Sequence, residues 1–227
     1  MTRTHLITGA GSGIGALVAD LLHARGDELV LVARSAPRAA ELGERYAGAT
    51  TLVADLADPA AVEGLGAQLP DRLDSVVHAA GVVALGTVAE LPVEAWTDQL
   101  SVNLVAPAVL TRGALPALRA ARGTVVLVNS GSGLVAHPHW AAYAASKHGL
   151  KGLADALRGE EREHGVRVSS VYPGRTATPM QAEVHRQEGR VYDETAWIDP
   201  ATVADAILHV LDLPADATIS DLTVRPR

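Results

Sequence analysis

The 227-residue chain has no cysteine, which excludes a disulfide framework, a thiolate metal site and a cysteine nucleophile. Phenylalanine is also absent and aromatic residues are only 3% of the chain, so leucine, valine and alanine must fill any core. Blocks of like charge are missing as well. The net charge is −7, from 19 basic and 26 acidic residues spread along the sequence, which argues against nucleic acid or an anionic membrane as the main partner. No stretch approaches the about 20 apolar residues of a membrane span, and the first residues carry no apolar signal region. A cytoplasmic protein is the expectation. There is no His-Glu-x-x-His, and His137 and His139 have no evident third ligand, so no metal is expected.

What is present is a single series of apolar runs alternating with helical patterns. Strands are expected at 5–8, 29–33, 51–54, 74–78, 124–128, 166–172 and 218–224, with helical spacing between them, including a long segment over 93–119. Such alternation predicts an α/β fold: one domain over 1–227, built on a doubly wound parallel sheet of about seven strands with helices on both faces. The polar stretch that follows Thr178, to residue 199, is expected to form a short substrate lid.

The first strand runs into Gly9, Ala10, Gly11, Ser12, Gly13, Ile14 and Gly15, and a helix pattern with Leu17, Val18, Leu21 and Leu22 on one face follows. Strand, glycine loop and helix is the setting of a phosphate cradle, in which backbone N–H groups and the helix dipole meet a pyrophosphate. After the second strand, where an acid would bind a free ribose 2′-hydroxyl, the chain has Ala33 and Arg34. A guanidinium there suits a 2′-phosphate, so NADP(H) is the expected cofactor, with NAD(H) possible. The alternative is a solvated arginine at a strand end. Asp55 could contact an adenine ring or, with Asp58, cap a helix.

The chemistry gathers near the middle of the chain. Tyr143 and Lys147 are four residues apart and share one face of a helix. At about 4 Å and an effective dielectric of about 20, a cation is worth on the order of 4 kcal/mol, enough to lower a phenol pKa and make it a proton carrier. Ser130 follows the apolar run 124–128, at the mouth of a buried strand, where its hydroxyl could hydrogen-bond a substrate oxygen. Asn103 falls among apolar positions and reads as a buried amide. Of residues 134–140, Leu134, Val135 and Trp140 are expected to give the pocket an apolar wall.

Over nearly its whole length the sequence resembles the short-chain dehydrogenase/reductase family. Residues 8–15 are similar to its Thr-Gly-x-x-x-Gly-x-Gly loop, Asp55-Leu56 to the site of its adenine-contacting Asp, and Asn103, Ser130, Tyr143 and Lys147 to its catalytic four. Pro173, Gly174, Thr176 and Thr178 look like its segment beside the nicotinamide. The family's Asn-Asn-Ala-Gly reads His78, Ala79, Ala80 and Gly81 here, so an amide that ties neighbouring strands is missing while backbone contacts to the cofactor ribose can persist.

The resemblance implies hydride transfer between NADP(H) and a small carbonyl compound or its alcohol. Ser130 would hold the oxygen, Tyr143 would be the acid or base, and Lys147 would lower the phenol pKa and hold the ribose. Asn103 would help position a water. It also implies a homodimer or homotetramer paired through the helices near 93–118 and 143–164. Alternatives are a nucleotide-binding regulatory protein without chemistry, or an epimerase or dehydratase using the same Tyr-Lys pair.

Overall fold

In the computed structural model, which describes residues 2–227, the apolar runs become strands Thr4–Thr8 (β1), Glu28–Ala33 (β2), Thr50–Val53 (β3), Ser75–His78 (β4), Thr124–Val128 (β5), Arg167–Pro173 (β6) and Asp221–Val224 (β7). They form one sheet in the order β3-β2-β1-β4-β5-β6-β7, every neighbouring pair parallel. The five central strands are buried along nearly their whole length, which is why they read as continuous rather than alternating apolar runs. The edge strands β3 and β7 are partly exposed. β7 is also shorter than the sequence predicts.

The helices are Gly13–Ala24 (α1), Ala36–Arg45 (α2), Pro59–Glu63 (α3), Val93–Leu100 (α4), Ala106–Ala121 (α5), Ala141–Glu161 (α6), Pro179–Gln187 (α7) and Pro200–Leu211 (α8). Two core clusters lie on opposite sides of the sheet. Leu22 of α1 and Ile207 and Leu208 of α8 pack with Ile7, Leu31 and Val126 on one side. Leu110 and Leu118 of α5 and Leu150 of α6 pack with Leu6, Val76 and Leu127 on the other. Leu118 is fully buried, so its truncation to alanine would cost about 2–5 kcal/mol. Helices on both faces of a parallel sheet make this the doubly wound fold. Its topological switch lies between β1 and β4, which opens a crevice at the carboxyl ends of the strands.

Two expectations are corrected here. The segment 93–119 is not one regular helix: a π turn at Ser101–Val105 joins α4 to α5 and contains Asn103. The helical span Val93–Ala121 is also long and apolar enough, by composition, to cross a membrane, contrary to the sequence reading. Its apolar residues Ala106, Leu110, Ala114, Ala117 and Leu118 instead pack in the core beside the sheet.

Two buried histidines tie elements together. His78 fills the place of the family amide, and its Nε2 lies 2.9 Å from Thr111 Oγ1, joining β4 to α5. His5 Nδ1 lies 2.7 Å from Ser75 Oγ and its Nε2 3.3 Å from Asp27 Oδ2. This serine-histidine-aspartate arrangement has no accessible nucleophile, because Ser75 is fully buried. It cross-links β1, β4 and the turn before β2.

Candidate active site

The loop between β1 and α1 is forced close to its neighbours. Gly9 and Gly13 have φ of 78° and 56°, the region that favours glycine. A Cβ on Gly9 would stand 2.7 Å from Ala80 N, and one on Gly15 would stand 2.4 Å from Gly9 O. Gly9, Ser12, Gly13 and Ile14 line a cleft of about 1290 Å³, together with Ala79, Ala80 and Gly81 after β4. Gly15 is not on that wall. It allows the first turn of α1 to pack on the loop.

At one end of the cleft, Arg34 and Ala33 at the end of β2 face Asp55 and Leu56 after β3. Asp55 Oδ1 accepts a hydrogen bond from Ala57 N at 3.0 Å, closing a tight turn. Capping α3 falls to Asp58, which accepts from Ala60 N and Ala61 N. A second cation, unforeseen in the sequence, lines the cleft with Arg34. Arg38, in the first turn of α2, donates from Nη2 to Gly11 O at 3.3 Å and lines the same end. Its signal was its position one turn beyond the second strand, which becomes legible only when α2 folds back over the glycine loop.

The other end gathers Ser130, Tyr143 and Lys147 with Pro173, Gly174, Thr176 and Thr178. Tyr143 and Lys147 are buried on one face of α6. Lys147 Nζ donates to Val128 O at 2.9 Å and stands 5.8 Å from the centroid of the Tyr143 ring. Burial pushes the phenol up to about 12, opposed by a hydrogen bond with the Ser130 hydroxyl. The expected lowering by Lys147 is therefore not realised: desolvation dominates, and the ammonium spends a hydrogen bond on the β5 carbonyl. Burial also brings Lys147 down to about 8.

Asn103 is fully engaged. Its Oδ1 accepts from Val82 N, and its Nδ2 donates to Val82 O and Ser146 Oγ, each near 3 Å. The side chain braces the strand-four loop against α6. Gly81 lies in the same corner, where a Cβ would come 3.3 Å from Asn103 Oδ1 and 3.9 Å from Lys147 Nζ.

Asn129 was missed, although an amide directly after a buried apolar run was its signal. Its Oδ1 accepts from Ser130 N at 2.8 Å and its Nδ2 donates to Lys147 O at 3.1 Å. One amide thus fixes the backbone of two cleft residues. Residues 134–140 are less apolar toward the cleft than expected: Leu134 and Val135 are exposed, while His137 and Trp140 line it. The segment after Thr178 folds as α7, and Gln187 near its end accepts from Leu85 N at 2.7 Å, tying it to the loop that follows β4.

The short chain dehydrogenase family profile matches residues 3–189. The chain belongs to that family. Its curated relatives include the bovine (Bos taurus) dehydrogenase/reductase SDR family member 7B, 32% identical, the alignment covering 91% of this chain and 69% of the relative. The D-beta-hydroxybutyrate dehydrogenase of Rhizobium meliloti is 35% identical over 79% of this chain and 74% of its own. Among solved structures, a metagenomic short-chain oxidoreductase in complex with NADP superimposes with a TM-score of 0.81 at 30% identity, covering 99% of this chain and 97% of that one. This short-chain dehydrogenase is accordingly an oxidoreductase of nucleotide-binding fold.

Proposed function

We propose that this short-chain dehydrogenase interconverts a small uncharged carbonyl compound and its alcohol with NADP(H). The observation that carries the reading is one cleft with the Ser130 and Tyr143 hydroxyls at one end and Arg34 and Arg38 at the other. The residues fit the dinucleotide. Side-chain-free glycines leave the backbone open to a pyrophosphate at the α1 N-terminus, and no carboxylate replaces Arg34 where a free 2′-hydroxyl would be read. About 1290 Å³ exceeds the roughly 300–1,000 Å³ of an ordinary ligand pocket, leaving room for a cofactor and a small substrate.

When bound, the nicotinamide supplies hydride to the carbonyl carbon or removes it from the alcohol. Ser130 donates a hydrogen bond to the carbonyl oxygen. Tyr143, protonated throughout the neutral range because burial raises its pKa, gives its proton to that oxygen in reduction. Lys147 holds positive charge beside the phenol as the phenolate forms, and it would bind the cofactor ribose. Asn103 positions α6 and the strand-four loop. The segment 178–199 acts as the lid. The outer faces of α4, α5 and α6 pair with a second copy, and a chain without cysteine is unaffected by a reducing cytoplasm.

The test is NADPH consumption with a panel of ketones and aldehydes, followed by Tyr143→Phe. The variant is expected to lose about 100-fold or more in turnover while retaining cofactor binding. Wild-type turnover in the variant would refute the assignment of Tyr143.

A further inference from the structure

The substrate end of the cleft contains a guanidinium already committed to a partner. Arg175, just after Pro173 and Gly174, donates from Nη1 to Glu188 Oε2 at 3.0 Å and from Nη2 to Glu188 Oε1 at 2.5 Å. The pair is substantially buried, with side chains 29% and 15% exposed. Its two parallel bonds match the fork of a guanidinium to the two oxygens of a carboxylate, the strongest geometry available to such groups. The Arg175 guanidinium lies between two indoles, 5.9 Å from the Trp140 ring centroid and 5.4 Å from that of Trp197. Trp140 in turn meets the Tyr143 ring edge to face, with centroids 5.7 Å apart. The cation therefore stands one indole away from the phenol.

The backbone holds it there. Arg175 O accepts from Ile198 N at 3.2 Å, and Thr176 bridges Ile198 in parallel fashion, which ties Arg175 to the segment that carries Trp197. Glu188 caps the end of α7, and Arg190 approaches its Oε2 at 3.8 Å. Around this end the cleft wall carries Lys147, Arg175 and Arg190 against Asp98, Glu183 and Glu188. No positive excess faces the substrate.

We propose that Glu188 is a specificity-determining residue: by occupying Arg175 it closes the substrate end to carboxylates and confines the enzyme to uncharged carbonyl compounds. This deepens the substrate class of the function proposed above and rests on that reading. A substrate carboxylate could bind Arg175 only by displacing Glu188, which would leave a partly buried carboxylate with only the longer Arg190 contact. A neutral ketone incurs no such cost and can lie against the Trp140 face. Glu188 acts through Arg175 and does not touch the reacting atoms.

The experiment compares methyl levulinate with levulinate, which share a ketone and differ in charge. Binding to the enzyme saturated with NADP(H) is followed by quenching of tryptophan fluorescence, since Trp140 and Trp197 flank the guanidinium, and kcat/KM is measured in parallel. Wild type is expected to favour the ester by at least about 10-fold, the size expected for a charge-assisted contact withheld. Glu188→Gln should bind levulinate at least about 10-fold more tightly than wild type, with the ester changed less than about 3-fold, and adding Arg175→Gln should remove that gain. Arg175→Gln alone supplies the mirror image, because Glu188 then keeps only the longer Arg190 contact: levulinate weakens further and the cationic ketone aminoacetone gains on the ester.

An unchanged levulinate-to-ester ratio in Glu188→Gln, or a wild type that already prefers levulinate, overturns the proposal. If Glu188→Gln does not fold, an unchanged aminoacetone-to-ester ratio in Arg175→Gln overturns it as well. Failure of the reductase reading is distinct: it appears as absence of turnover with every compound, while the fluorescence titrations still report which charge the site admits.

Discussion

Lys147 lies over the Tyr143 ring, its Nζ 5.8 Å from the ring centroid and hydrogen-bonded to Val128 O at 2.9 Å. The two side chains share one buried face of α6, and burial drives their pKa values apart, the phenol up to about 12 and the ammonium down to about 8. In the neutral range both hold their protons. The pair is thus set to donate.

A pH profile follows from these shifts. Carbonyl reduction needs a protonated phenol and a charged Lys147, so kcat/KM with NADPH should be level below about pH 8 and fall as Lys147 loses its proton above it. Lys147→Arg, which keeps the charge, should move the falling limb upward. A limb unmoved in that variant would assign the titration to another group.

Cofactor choice should depend on two arginines. Arg38→Ala is expected to weaken NADPH binding by about 10-fold, with NADH changed far less, since a charge-assisted hydrogen bond is worth about 1.5–3 kcal/mol. Glu41 pairs with Arg38 across one helical turn, so Glu41→Gln should strengthen NADPH binding modestly. Isothermal titration measures both without turnover, and equal losses for the two cofactors would remove Arg38 from selectivity.

Gly133→Ala tests the Asn129 bracket. A Cβ there would stand 2.3 Å from Asn129 Oδ1 and 2.9 Å from Lys147 O, so the turn after β5 must move away from α6. Overpacking of this kind costs about 1–3 kcal/mol. A lower urea midpoint and reduced kcat are expected. Unchanged stability would mean that the turn yields freely.

Acid should destabilise the fold through His78, which burial lowers from 6.5 to about 3. The native state keeps this histidine neutral while the unfolded chain takes up a proton below its ordinary pKa. Its contribution is therefore whole above pH 6.5 and is lost as pH falls toward 3, on the order of a few kcal/mol in all. His5, also lowered by burial, acts in the same direction. His78→Asn should flatten the dependence of melting temperature on pH between 6.5 and 4, and an unaltered slope would contradict this account.

By itself the sequence determined the alternation of strands and helices, the glycine loop and the order of Asn103, Ser130, Tyr143 and Lys147. These depend on local periodicity, on backbone freedom and on spacing within single elements. A residue such as Leu6 or Val126 reads as a buried strand position whatever lies beside it. Tertiary structure alone decided which groups meet and how strongly burial acts on them. Arg38 reaches the cleft only because α2 folds back on the glycine loop, and Asn129 joins Ser130 to Lys147 only because β5 lies against α6. Arg175 meets Glu188 only because α7 returns toward the β6 terminus. The direction of the Tyr143 shift was misread for the same reason. Proximity along a helix suggested a dominant charge, whereas the desolvation that outweighs it depends on everything packed around the ring, and no four-residue spacing encodes that.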